Sequence, residues 1–137
     1  MCKSWERYGI HAIESVYPIL GPGYISARNT GSKDQNVVHL KHKSGADVIA
    51  VTTYDMYGGF GVVTLAGTAG HVEVTNNDSF YAFRAQLVAF IKYLRTGERP
   101  FPFEETIELM KIIIAGIRSR DEGGREVMID EIKSGSN

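Results

Sequence analysis

Apolar and polar positions change period along this chain, and the changes mark its elements. Arg7 to Leu20 carries a helical pattern in which Ile10, Ile13, Val16, Tyr17 and Leu20 are read as one apolar side. Ser4 is placed to cap it after a short polar lead-in over residues 1–6. Pro18 cannot donate to the Glu14 carbonyl, so a kink or early end is expected near Tyr17, and Gly21-Pro22-Gly23 stops the helix. From Tyr24 to Thr75 the period shortens to that of strands: Tyr24–Thr30, Asn36–His42, Asp47–Tyr54, Phe60–Ala66 and His71–Thr75. The connections are short, as antiparallel neighbours allow and parallel ones do not. Asp47–Tyr54 and Phe60–Ala66 carry apolar or small residues on both faces, the pattern of central strands covered on both sides.

The helical period then returns. Asn76-Asn77-Asp78-Ser79 has the composition of a cap, and Phe80–Thr96 presents Phe80, Phe83, Leu87, Phe90, Ile91 and Leu94 as a stripe ended by Gly97. After the stiff Pro100-Phe101-Pro102 link, Phe103–Arg120 forms a further helix. Glu104 and Glu105 lie at its positive end, and Ile107, Met110, Ile113, Ile114 and Ile117 form its expected buried face. Gly123-Gly124 turns the chain into a last strand, Glu126–Ile132, with Val127 and Ile129 inward, and residues 133–137 are a frayed tail. The expected fold is α+β, an open and mostly antiparallel sheet of about six strands with helices on one face, in the order α-β5-α-α-β. Its other sheet face then requires water or a partner, and the apolar content favours a partner.

A chain of 137 residues suits a single domain over 1–137, able to bury a core without disulfides. The net charge of −1 gives no electrostatic footprint for nucleic acid or an anionic membrane. One cysteine, Cys2, excludes an internal disulfide, and no apolar run reaches a membrane span. The N-terminus lacks a signal-peptide core, so a cytoplasmic location is expected.

Chemistry concentrates in the first helix. A step of roughly 100° per residue gathers Arg7, His11 and Glu14 within about 60° of arc. Solvation alone accounts for such a face; the alternative is a histidine oriented by Glu14 and poised to move a proton near neutral pH. A second cluster, Tyr54, Asp55 and Tyr57, reads either as a turn with half-buried aromatics or as hydroxyls rimming a polyol pocket. The Gly-rich stretches at 21–23, 58–61 and 67–70 read as turns, and no phosphate-binding motif occurs. His39 and His42 have an odd separation and point to opposite faces of a regular strand, so with His71 they complete no metal-ligand set.

Several segments together resemble a known domain. Tyr8-Gly9-Ile10-His11-Ala12-Ile13-Glu14, the strand pattern, Phe101 through Met110 (FPFEETIELM), Ala115-Gly116-Ile117-Arg118-Ser119 and Glu122-Gly123-Gly124-Arg125 carry the likeness. It is to the C-terminal domain of the glucose–fructose oxidoreductase/inositol dehydrogenase (Gfo/Idh/MocA) family, and it extends from about Arg7 to Ile132. The resemblance implies an N-terminal Rossmann domain binding NAD or NADP, absent from this chain, and a sugar, polyol or related hydroxy compound as substrate. It also implies a homo-oligomer formed through the sheet face. His11 matches the histidine of the family's Asp-x-x-x-His motif and Glu14 an acidic residue three positions later. Arg7 stands where the motif has aspartate, a departure that changes the usual proton relay and suits an anionic substrate. The resemblance makes His11 the catalytic candidate, with Arg7, Tyr8, Glu14 and Tyr57 on the substrate, no cofactor or metal ligand in this chain, and no activity for the chain alone. The alternative is a stand-alone, non-catalytic sugar-binding or dimerisation module derived from that family.

Overall fold

The computed structural model describes residues 4–54, 61–75 and 78–133. The fold is α+β, with six strands in open antiparallel pairing. Helix α1 (Trp5–Glu14) and the short α2 (Tyr17–Leu20) precede β1 (Tyr24–Asn29), β2 (Gln35–His42) and β3 (Asp47–Thr53). Strands β4 (Val62–Gly67) and β5 (Gly70–Thr75) come next, followed by α3 (Ser79–Thr96) and α4 (Phe103–Asp121). The last elements are β6 (Val127–Met128) and a 3-10 turn over Ile129–Glu131. The strands divide into a four-stranded sheet, ordered β3-β2-β1-β6, and a separate β4-β5 hairpin.

In the larger sheet, alternation does what a one-sided strand requires. Asn36, Val38, Leu40 and His42 of β2 turn inward, as do Ala50 and Thr52 of β3. A register shift between Tyr24 and Ser26 inserts an extra residue in β1, so Tyr24 and Ala27 are both buried despite their odd separation. Helix α4 packs over β1, and α1 packs on α4 and β3. Trp5, Ile13, Val38, Leu40, Ile112 and Val127 form the centre of this core.

Close backbone approach sets how α1 meets α4. The indole of Trp5 is fully buried and donates to the Ile113 carbonyl at 2.9 Å. A Cβ at Gly116 would lie 2.7 Å from Trp5 Nε1, and one at Gly9 would lie 2.8 Å from the same ring. Glycine at both positions therefore leaves the slot that the indole fills. At the other end of α4, Glu108 accepts from the Tyr17 hydroxyl at 2.6 Å and from the amides of Gly23 and Tyr24 at 2.8 and 2.9 Å. One carboxylate thus fastens the α2–β1 connection to α4.

Several expectations change. The first helix starts at Trp5 and breaks after Glu14, with Pro18 in the first turn of α2, where its missing N–H is harmless. Trp5 belongs to the core and not to a polar lead-in. Ser4 occupies the N-cap position of α1, but its side chain makes no capping bond. Strand β3 is an edge of the four-stranded sheet, not a strand covered on both sides, and its outer Ile49 is 60% exposed. The inner face of α4 is Leu109, Ile112, Ile113, Ala115, Gly116 and Ser119, while Met110 and Ile114 are exposed. The last strand is only Val127–Met128 before the chain coils into the 3-10 turn.

The largest change concerns α3. Its caps form as expected: Asp78 accepts from the Tyr81 amide at 2.8 Å, and Gly97 closes the helix in the left-handed region. Yet none of its residues is buried, and the stripe from Phe80 to Leu94 is open. Among the described residues, neither α3 nor the β4-β5 hairpin packs substantially on any other element. No helix among the described residues is long and apolar enough to cross a membrane.

Candidate functional site

Helix α1 is built so that one side is fixed and the other is offered. Trp5, Gly9 and Ile13, spaced four residues apart, are its buried positions. Arg7 and His11, between them, and Glu14, just after Ile13, are exposed. Rotation about the helix axis is further held by Glu6, whose carboxylate meets Arg120 Nη1 of α4 at 2.7 Å. Burial raises the Glu6 pKa, but its backbone N–H and the Arg120 guanidinium outweigh that effect and leave it below the ordinary carboxylate value. Arg120 also donates to Asn36 Oδ1 at 3.2 Å, and Asn36 accepts from Asn29 Nδ2 at 2.9 Å. The charge pair therefore ties α1 and α4 to the inner face of β1 and β2.

On the offered side, His11 Nδ1 lies 3.0 Å from Glu14 Oε2, with side-chain exposures of 54% and 48%. With the Nδ1 proton donated to the carboxylate, Nε2 keeps a lone pair free to accept a proton from a hydroxyl. The ring of Tyr8 lies 6.1 Å from the His11 ring, tilted by 43°, and flanks the pair. Arg7, one turn before His11, has no ion-pair partner among the described residues. The structure therefore brings Arg7, Tyr8, His11 and Glu14 together on one helix face. Tyr57 lies outside the described residues.

Trp5, Glu6 and Arg120, which position this face, were not among the expected site residues. The signal for Trp5 was its four-residue spacing to Gly9 and Ile13, since glycine beside a buried aromatic marks close packing. Nothing local to Glu6 indicates a partner in α4, because their separation in sequence exceeds any helical spacing.

Other polar clusters have structural work to do. His42 is buried and shares its Nδ1 with the Ser44 hydroxyl at 2.8 Å, which closes the β2–β3 turn. Tyr24 packs against the Tyr17 and His42 rings, and burial, with the nearby Glu108 charge, pushes its phenol up to about 12. A groove of about 720 Å³ runs beside Tyr24, Lys43, Glu105, Lys111 and Ile129, and none of the four α1 residues lines it. Among the described residues no group of three or more His, Cys, Asp or Glu is placed to hold a metal ion. Gly21-Pro22-Gly23 joins α2 to β1, and Gly67 to Gly70 is the turn of the β4-β5 hairpin.

The outer face of the four-stranded sheet is a second surface with character. Ile25, Val37, Ile49 and Val51 are exposed there, beside the His39–Asp47 pair at 2.7 Å and the Lys41–Glu126 pair at 3.1 Å. The chain matches no protein-family model, and no curated protein matches it.

Proposed function

We propose that this chain is the substrate-binding and oligomerisation half of an NAD(P)-dependent oxidoreductase acting on a sugar, polyol or related hydroxy compound. The observation that carries this reading is the His11–Glu14 pair at 3.0 Å, on the free side of a helix whose other side is locked by Trp5 and Arg120. Oxidation of a secondary alcohol needs a group that takes the hydroxyl proton as the hydride departs. His11 Nε2 is available for that proton, or to hold the hydroxyl while another base takes it. Glu14 fixes the imidazole tautomer and stabilises the charge that forms. NAD or NADP, bound on a Rossmann domain outside this chain, supplies the hydride acceptor. The free face of α1 and the stripe of α3 are surfaces for that domain. The apolar outer sheet face supports a homo-oligomer.

Arg7, in place of the motif aspartate, supports a second reading, a stand-alone sugar-binding or dimerisation module without catalysis. Reading the gene upstream of Met1, and assaying its whole product with NAD and NADP on a polyol panel, separates the two. A strand-GxGxxG-helix unit, turnover, and a loss of about 10²-fold or more in kcat/KM for His11→Ala are expected. A gene product without a nucleotide-binding unit and without turnover overturns the first reading in favour of the second.

A further inference from the structure

The charges around α1 do not cancel, and the imbalance has a direction. Two carboxylates lie on or beside its exposed side, Glu6 and Glu14, and both are engaged. Glu6 is held by Arg120 at 2.7 Å and Glu14 by His11 at 3.0 Å. Arg7 is exposed, and its guanidinium has no acceptor among the described residues. Arg7 and His11 are four residues apart, so their Cβ atoms lie about 5–6 Å from each other along one helix face. The face thus presents a two-pronged donor that seeks an anion beside an imidazole nitrogen that can accept from a hydroxyl.

We infer that the substrate is a hydroxy acid, with a carboxylate held by the Arg7 guanidinium and a neighbouring hydroxyl at His11 Nε2. The inference rests on the reading of α1 as the substrate-facing helix and adds the class of substrate. A guanidinium matches a carboxylate through two parallel, charge-assisted N–H bonds, whereas an uncharged polyol offers it only weaker neutral acceptors. A carboxylate is favoured over a phosphate because α1 has one guanidinium and no lysine, and Glu14 stands one turn beyond His11. Within α1 itself a phosphate dianion would meet one cation and a nearby carboxylate. A monoanion is balanced by Arg7 alone.

The test is an NMR titration of the 137-residue chain with gluconate, a sugar acid, and with glucitol, its neutral polyol counterpart. Gluconate is expected to move the Arg7 Nε–H and His11 ring signals together and to saturate, while glucitol at equal concentration moves neither. Arg7→Gln is expected to weaken gluconate roughly ten- to a hundredfold, as loss of a charge-assisted pair does, and Arg7→Lys to recover part of that loss. Arg7 is exposed, so an unchanged amide spectrum reports that each variant is folded. Equal gluconate binding by Arg7→Gln, or glucitol shifting His11 as strongly as gluconate, overturns the hydroxy-acid inference and leaves α1 as a sugar-facing helix. If neither ligand moves an α1 signal, both the inference and the reading beneath it fall.

Discussion

The chain contains two regions of similar apolar content and opposite fate. In one, α1 and α4 lie over β1, β2 and β3, with Trp5, Ile13, Val38, Leu40 and Ile112 at or near zero exposure. In the other, the β4-β5 hairpin and α3 carry valines, phenylalanines and leucines that stay open; Phe80 is 79% exposed and Leu94 is 66% exposed. Helix α3 is better capped than α1, with a side-chain bond at its start and a left-handed glycine at its end, whereas Ser4 makes no cap bond. Local signals thus suffice to make a helix but not to bury it. A two-stranded hairpin and a single amphipathic helix are each marginal without a surface to cover them. The difference teaches that an apolar stripe declares a need for cover without naming the cover.

Substitution breaks this comparison most directly. Trp5→Ala is expected to cost about 3–5 kcal/mol, the range for emptying a packed aromatic site. Leu87→Ala in α3 is expected to change the stability of the chain by no more than about 0.5 kcal/mol, as at open positions. Urea denaturation at low protein concentration measures both. A loss for Leu87→Ala that approaches the loss for Trp5→Ala would place α3 inside the cooperative core and erase the contrast.

Glycine and alanine sharpen the contrast because the sign of their exchange differs between regions. In an open helix alanine is favoured over glycine by about 1 kcal/mol, so Ala89→Gly in α3 is expected to lower local helicity and to leave the core intact. In α4 the preference reverses. The added methyl of Gly116→Ala would meet the Trp5 indole at 2.7–2.9 Å, and overpacking of this kind costs about 1–3 kcal/mol. Thermal melts followed by tryptophan fluorescence read the event directly, since Trp5 is the only tryptophan. A stabilised Gly116→Ala variant would mean that the indole does not occupy the slot.

These contrasts also explain what could be read from the sequence. The alternation from Asn36 to His42 gave the inward set of β2 because one face of that strand is dry and the other is not. Asp78 and Gly97 marked the ends of α3 because caps act within one turn. The inner face of α4 was misphased because isoleucine, leucine and methionine surround that helix. What selects its buried side is smallness: Ala115, Gly116 and Ser119 let Trp5 and β1 approach. The single sheet of six strands became four and two because meander spacing fixes which strands are neighbours in sequence but not where one ladder stops. In the site, Arg7, His11 and Glu14 were legible because helical periodicity is local. Glu6–Arg120 and Trp5–Ile113 were not, since they join residues far apart in the chain.

The smallest expected effect comes from the ion network at the end of α4, which has no match among the described residues of the other region, where Lys92–Glu98 is a loose surface pair at 3.6 Å. Glu131 accepts from Arg125 Nη2 at 2.9 Å and from the Met128 amide at 2.9 Å, and Arg125 also pairs with Glu122. The Arg125 hydrogen bonds, and then the Met128 N–H, lower the Glu131 pKa from 4.5 to about 2. A carboxylate depressed on folding contributes stability that is present above its unfolded pKa of 4.5 and lost as pH falls toward 2. Glu131 is solvent-exposed, so screening keeps the contribution small. Chemical denaturation repeated from neutral pH down through that window should show Glu131→Gln less stable than the parent at neutral pH. The difference should shrink steadily as the parent's carboxylate is protonated and should vanish near the bottom of the window. A constant offset across the whole range would mean that the 3-10 turn is held by packing of Ile129 and Ile132 and not by the Arg125 pairing.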